Sequence, residues 1–354
     1  MSLSYANYDK DLNRKFLALP QVLYSADTLT QSISDEKALL ENRHILSKYF
    51  TFHPILVLSG KAPAARGAVT IYPEDSTAYL GFFESVRSRK AAQMVFDKAE
   101  EIAKAYGCTK ICGPVDSSFW IKYRLKIDHF EQPPYAGEPY NLPYYEKLFV
   151  NAGYRVSYDY KSMRFGKMSA ETDDNKYTNR LADKKSAGYE IISPSAESFD
   201  KCLREIYRLL IDLYADFPAY KRITEAEFVG IYSKLRYIVD YKMIKLAYKN
   251  GEPVGFYVSV PNTGNMTSGK FTPKKLVKLL KLRKNCKDYV MLYIGVSPKH
   301  HGLGKALVQS VKNELSLSGA KSVGALIRSG KITGTYYAQY ADFEFKYALF
   351  EKDI

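Results

Sequence analysis

No apolar run in the 354 residues approaches the roughly 20 needed to span a bilayer, and the N-terminus has no charged-then-apolar leader pattern. A membrane protein is therefore not expected; a cytoplasmic enzyme or binding protein is, with no membrane partner. Cysteine is scarce: Cys108, Cys112, Cys202 and Cys286 are too few for a disulfide framework at this length. The spacing of Cys108 and Cys112 occurs in metal sites, but no second ligand pair follows, so structural thiols and no bound metal are expected. Nucleic-acid motifs are absent too. The net charge of +14 comes from basic residues scattered along the chain, with one concentration from Lys270 to Lys287. Nucleic acid is thus not the expected partner, because a positive field draws a polyanionic cofactor or an acidic acceptor equally well.

With 46% hydrophobic and 25% charged residues the chain is globular, and its length suits two domains. The most informative stretch is Tyr289 to Leu317. Tyr289 to Val296 is almost wholly apolar, as in a strand covered on both faces, and Pro298 stops it. Gly302 and Gly304 follow among small or polar residues, so the backbone can curl with several N–H groups pointing into one hollow. Leu303, Ala306, Leu307, Val311 and Leu315 then recur at helical spacing, which brings the positive end of a helix to the same hollow. A diphosphate is the natural guest. Gly304-Lys305-Ala306 lacks the hydroxyl of a Walker loop, and the three glycines and the acidic residue of a dinucleotide fold are missing.

Val296-Ser297-Pro298 and His301-Gly302-Leu303-Gly304-Lys305-Ala306 resemble the acyl-CoA loop of the GNAT acetyltransferase superfamily, Val-x-Pro followed by Gln/Arg-x-x-Gly-x-Gly/Ala. The departure is His301, where Gln or Arg is usual. The resemblance implies that backbone N–H groups of His301 to Ala306 bind the pyrophosphate of acetyl-CoA or another acyl-CoA. It also implies that Ile294 and Val296 make main-chain contacts to the pantetheine arm, with Gly295 suited to a bulge or close approach. Ser329 stands where an asparagine that contacts pantetheine is common. A tyrosine of a last helix usually protonates the thiolate, and Tyr336, Tyr337 and Tyr340 are on offer, with Tyr337 preferred.

Earlier in the chain, strand-like segments at 55–58, 67–72 and 77–85 precede an amphipathic helix from Ser88 to Ala105. Residues 79–86, that helix and residues 107–115 parallel 291–298, the glycine-loop helix and 319–327 at nearly equal spacing. The first copy has Arg87-Ser88-Arg89-Lys90 in place of the glycines, so it is expected to keep the fold without the cofactor loop. The tract from Gly113 to Tyr154 is rich in tyrosine and short polar groups, among them Asp116, Ser117, Ser118, Asp128, His129, Tyr140, Asn141, Tyr144 and Tyr145. It can be a polar pocket wall or a structured loop. Together with Gly81-Phe82-Phe83-Glu84, Leu19-Pro20 and Leu23-Tyr24, it resembles a family of bacterial tandem GNAT-like proteins whose acceptor the resemblance does not define.

The expected class is therefore α/β, an α+β mixed sheet in two tandem GNAT-like domains. Residues 1–166 form the half without a cofactor loop, 167–187 a polar linker, and 188–354 the half with it. In the second half a helix from Phe199, a helix capped by Thr224 with Glu227, and a hairpin turning at Asn250-Gly251 are expected. Within Pro261 to Lys287, Thr272-Pro273 starts a short basic amphipathic helix, either packed as an insertion or acting as a flap toward phosphates or an acidic partner. The expected activity is N-acetyl or N-acyl transfer from acetyl-CoA or another acyl-CoA to a small-molecule or peptide amine. The alternatives are a non-catalytic acyl-CoA sensor and a Fem-type aminoacyl transferase. No base stands out: Asp212, Asp216, Glu84 and Asp116 are candidates, while His53, His129 and His300 carry no assigned role.

Overall fold

The computed structural model describes residues 2–7, 10–169, 174–269 and 272–354. The first half contains β1 (Leu3–Tyr5), α1 (Lys10–Leu23), α2 (Ile33–Leu40), β2 (Thr51–Ser59), β3 (Ala62–Ile71), β4 (Thr77–Ser85), α3 (Arg89–Ala105), β5 (Lys110–Gly113), β6 (Leu125–Lys126), α4 (Tyr145–Asn151) and β7 (Arg155–Phe165). The second contains α5 (Asn175–Ser186), β8 (Tyr189–Ile192), α6 (Phe199–Leu213), α7 (Glu225–Tyr232), β9 (Ile244–Lys249), β10 (Glu252–Pro261), α8 (Pro273–Lys284), β11 (Asp288–Val296), α9 (Leu303–Ser318), β12 (Lys321–Arg328) and β13 (Phe343–Asp353).

Local chemistry sets the element ends. Ser88 caps α3 by accepting from the Ala91 N–H, and the helix buries Ala91, Ala92, Val95, Phe96, Ala99 and Ala103 against the sheet. Thr224 and Glu227 form a reciprocal capping box on α7. The β9–β10 hairpin turns through Asn250 and Gly251 with φ of 53° and 81°.

All strands join one mixed sheet in the order β1-β2-β3-β4-β5-β13-β7-β12-β11-β10-β9-β8, with β6 beside β13. Only β4 with β5 and β11 with β12 pair in parallel. The two halves exchange their last strands: β13 pairs with β5 of the first half, and β7 pairs with β12 of the second. Between them β7 and β13 run antiparallel from Phe343 opposite Arg164 to Glu351 opposite Arg155. Along β13, Phe345, Tyr347 and Leu349 join one core while Ala348 and Phe350 join another. The period of two thus buries both faces of the strand.

Residues 174–187, part of the stretch read as a linker, form a packed element instead; 170–173 lie outside the described residues. Asp174 caps α5 by accepting from Lys176 N–H, and Tyr177 and Leu181 bury themselves against α9. Two apolar side chains four residues apart carry this packing, too few to show as a periodic pattern. The halves also meet at Glu227, whose carboxylate takes bonds from Lys48 and Tyr49. Burial pushes this carboxyl up, but the bonds from Lys48, Thr224 and Tyr49 outweigh it and hold the group at about 2.

Candidate functional site

β11 and β12 stay paired only from Asp288 opposite Lys321 to Met291 opposite Gly324, and then part. β12 turns away through a bulge. Its register against β7 shifts between Gly324 and Ile327, Leu326 has φ of 56°, and the Leu326 N–H donates to Ser162 Oγ at 2.9 Å. A cavity of about 780 Å³ occupies the gap. One end is walled by His300, His301, Gly302 and Gly304, the middle by Ile294 to Ser297, and the other end by Phe119 to Arg124 of the first half.

The loop at the first end has the make-up of an anion seat. Gly302 caps α9 with φ of 79°, a conformation that favours glycine. Leu303 N–H turns back to the His300 carbonyl, while the N–H groups of His301, Gly302, Gly304 and Lys305 have no acceptor among the described residues. Leu303 and Ala306 bury their side chains completely, so only their backbone faces a ligand. A side chain on Gly304 would stand 2.7 Å from the Tyr336 hydroxyl, and one on Gly302 would stand 3.0 Å from Arg180 of α5. Arg180 therefore lies over the loop. Burial first, then Lys184, Lys249 and Lys299, depress the His300 imidazole, whose Nδ1 lies 2.9 Å from the Tyr189 hydroxyl. Free N–H groups at a helix start, backed by these cations, suit a diphosphate.

Along β11 the Ile294 carbonyl accepts from the Tyr214 hydroxyl at 3.1 Å, and Val296 lies opposite Gly255. Gly295 is required by packing, since a Cβ there would come within 2.5 Å of Phe256 and 2.9 Å of Leu213. The close approach at this glycine is thus to the core.

No family model matches the chain. Protein YghO of Escherichia coli strain K12 is 23% identical over 207 residues, 58% of this chain and 53% of that protein. Bacterial ceramide synthase of Caulobacter vibrioides is 23% identical over 228 residues, 62% of this chain and 58% of that protein. The chain therefore spans little more than half the length of these curated relatives. A tandem GNAT protein from the clavulanic acid biosynthesis pathway superposes with a TM-score of 0.54 at 12% identity, covering 99% of this chain and 98% of that one. The chain has the tandem GNAT fold.

Within this GNAT fold no α-helix follows β12; two short 3₁₀ turns, Ile332–Thr335 and Ala338–Tyr340, stand there. Threonine and glycine at 333–335 and a left-handed Tyr337, with φ of 52°, keep the segment from closing into a longer helix. Tyr337 is almost fully buried, stacks on Tyr177 at 4.3 Å and donates to Gln309 Oε1 at 2.6 Å. Tyr336 lies on the cavity wall with its hydroxyl over Gly304, while Tyr340 does not reach the wall. Ser329 is exposed outside the wall, its N–H donating to the Asp159 carbonyl.

None of the candidate bases lines the cavity, and among the described residues no Asp or Glu does. Asp212 pairs with Arg222, and Asp216 with Arg328 and Lys331. Asp116 accepts from the Phe82 N–H, and Glu84 accepts from Tyr24 and Tyr145. His53 packs on Tyr106, and His129 on Phe343.

The polar groups of residues 113–154 brace the loop and tie it to β4 and β13. Asn141 bonds both backbone groups of Lys126, Asp128 accepts from Lys346 N–H, and Tyr144 donates to the Ser85 carbonyl. It is the aromatic run Phe119 to Tyr123, with Arg124, that reaches the cavity. α8 contributes nothing to that wall: it buries Leu279 and leaves Leu276, Val277 and Leu280 half exposed. Residues 270 and 271 of the basic concentration lie outside the described residues. No described helix is long and apolar enough to cross a membrane. Among the described residues no group of three or more His, Cys, Asp or Glu could hold a metal. Tyr214, Tyr293, Arg124 and Arg180 escaped the sequence reading, because they come from four distant segments and share no spacing.

Proposed function

We propose that the chain is an acyl-CoA-dependent N-acyltransferase, joining an acyl group to an amine. The observation that carries this is the parted β11–β12 pair, whose gap leads straight to the unpaired N–H groups at the start of α9. The His301 to Ala306 backbone, with Arg180 above it, would hold the diphosphate, and the β11 edge from Ile294 to Val296 the arm. A bound thioester supplies an acyl carbon open to attack by a neutral amine. This chain's residues would align the two and exclude water, which supplies much of the rate of such a transfer. Tyr336 over Gly304 and Tyr214 on Ile294 are two of several tyrosines on the wall, with Tyr257, Tyr293 and Tyr337 beside them. Beyond them the wall is apolar and aromatic, with Phe217, Ile231, Tyr232, Leu235 and Leu292, and accepts an acyl group longer than acetyl. The name of the Caulobacter relative, a ceramide synthase, agrees with an amide-forming reaction.

The test is calorimetry with coenzyme A, followed by thiol release from acetyl-, octanoyl- and palmitoyl-CoA with a panel of amines. Binding with turnover on at least one amine is expected. Folded protein that takes up no coenzyme A would falsify the proposal. A second reading, a non-catalytic acyl-CoA sensor, is favoured by the lack of a carboxylate among the described residues of the wall. Tight binding without thiol release on any amine would decide for it.

A further inference from the structure

Six cationic side chains line the cavity: Lys122, Arg124, Lys234, Lys312, Arg328 and Lys331. Lys122 is balanced by Asp116 at 3.2 Å, and Arg328 and Lys331 by Asp216 at 2.7 and 2.9 Å. Lys312 places its ammonium on the Ser169 carbonyl, and Lys234 is exposed. Arg124 differs from all of these. Its guanidinium carbon sits 3.6 Å from the centre of the Tyr123 ring and 4.3 Å from that of Tyr160, and one terminal N–H donates to the Tyr123 hydroxyl. Its Nε is buried without an acceptor, and no described carboxylate lies within ion-pairing distance of it. Aromatic faces hold the charge but leave its in-plane donors for something else.

The backbone supports the same conclusion. Arg124 has φ of 90°, a left-handed conformation that a residue other than glycine keeps only where the surrounding structure fixes it, as at binding sites. The Arg124 N–H bond to the Pro114 carbonyl, at 3.0 Å, holds the turn that aims it. The charge acts on the phenol of Tyr160, on which it stacks, and on those of Tyr214 and Tyr293 on the cavity wall, and Tyr214 is the residue bonded to the β11 edge at Ile294. An unneutralised guanidinium thus faces the place where acyl transfer would occur.

Resting on the acyltransferase reading, we infer that the amine acceptor carries a carboxylate and that Arg124 binds it. A guanidinium matches a carboxylate two bonds to two oxygens. The donor geometry selects the class: one guanidinium with in-plane donors left open suits the two oxygens of a monoanion, whereas a phosphate dianion would draw on more than one cation. The reaction balances without Arg124 being consumed. The amine nitrogen forms a bond to the acyl carbon, the carbon–sulfur bond breaks, and the proton lost by the amine ends on the thiol. The product is an N-acyl amino acid or an analogue of one.

Thiol release would be compared for phenylalanine, phenethylamine and phosphoethanolamine with one acyl-CoA. Wild type should prefer phenylalanine over phenethylamine by at least about 30-fold in kcat/KM, the scale of a charge-assisted hydrogen-bond pair. Arg124→Met should reduce that preference by about tenfold or more, mainly through KM, with the Kd for coenzyme A changed less than about twofold. Arg124→Gly relieves the left-handed backbone, so it should keep the melting temperature while losing the preference. Direct calorimetry with N-acetylphenylalanine separates this inference from the donor reading: binding to wild type and not to Arg124→Met is expected even if coenzyme A fails to bind. Preference for phenethylamine or for phosphoethanolamine overturns it. So does an equal fall in kcat on all amines in Arg124→Met with KM untouched, which would assign the guanidinium to the thioester oxygen.

Discussion

In both halves a parallel strand pair holds together at one end and parts at the other: β4 leaves β5 after Tyr79 opposite Cys112, as β11 leaves β12 after Met291 opposite Gly324. In the first half the chain fills its own gap. Val115 N–H bonds the Leu80 carbonyl at 2.8 Å, and the Asp116 carboxylate accepts from Phe82 N–H at 2.5 Å. Ser88 takes the place of a ligand at the start of α3, accepting from Ala91 N–H. In the second half β12 bends off to Ser162, and Gly302 has no side chain with which to cap α9. The same architecture is thus sealed where its polar groups are satisfied internally, and open where they are left for a ligand.

The sharpest way to break this comparison is to disturb the seal. A methyl group on Gly81 would fall 2.0 Å from the Val115 carbonyl, so Gly81→Ala should lower the melting temperature by more than about 10 °C or prevent folding. The open side responds differently. Gly304→Glu puts a carboxylate and a clash with Tyr336 into the seat, and calorimetry should show coenzyme A affinity falling about 100-fold or more with the fold retained. Asp116→Ala leaves the Phe82 N–H buried without its acceptor, and urea unfolding should register a loss of about 2 kcal/mol. An unchanged unfolding midpoint would mean that the gap is closed by packing alone.

Smaller effects sharpen the contrast. Arg180→Ala should weaken coenzyme A binding about fivefold and flatten its dependence on salt, since the guanidinium lies at the exposed rim over Gly302. A pH-dependent effect belongs to Glu84 at the sealed gap. Burial, opposed by Arg66, Tyr145 and Tyr24, pushes its carboxyl from 4.5 up to about 7. Its contribution to stability is full below pH 4.5 and is lost as pH rises through 7, because only the folded form holds the proton in that window. Melting temperature should therefore fall between pH 5 and pH 8, and Glu84→Gln should reduce the fall. An equal fall in the variant would remove Glu84 from the account.

The glycine loop, α9 behind it, the Thr224 cap and the Asn250-Gly251 turn were legible because each is written in neighbouring residues. α5 was not, since Tyr177 and Leu181 are its only buried apolar pair, and the last helix expected around Tyr337 proved to be two 3₁₀ turns. The tract 113–154 read equally well as a pocket wall and as a structured loop, and its aromatic residues rather than its short polar ones reach the cavity.

What the amino-acid order determined by itself is the set of strands, caps and turns, because these depend on side chains within a few positions of one another. Only the tertiary structure decided that β7 and β13 change places, that Arg124 meets the second half's cavity and Arg180 its glycine loop, and that one strand gap is sealed while its counterpart stays open. Those outcomes depend on which distant groups find hydrogen-bond partners and space, and alternation along a strand says that it pairs without saying with what.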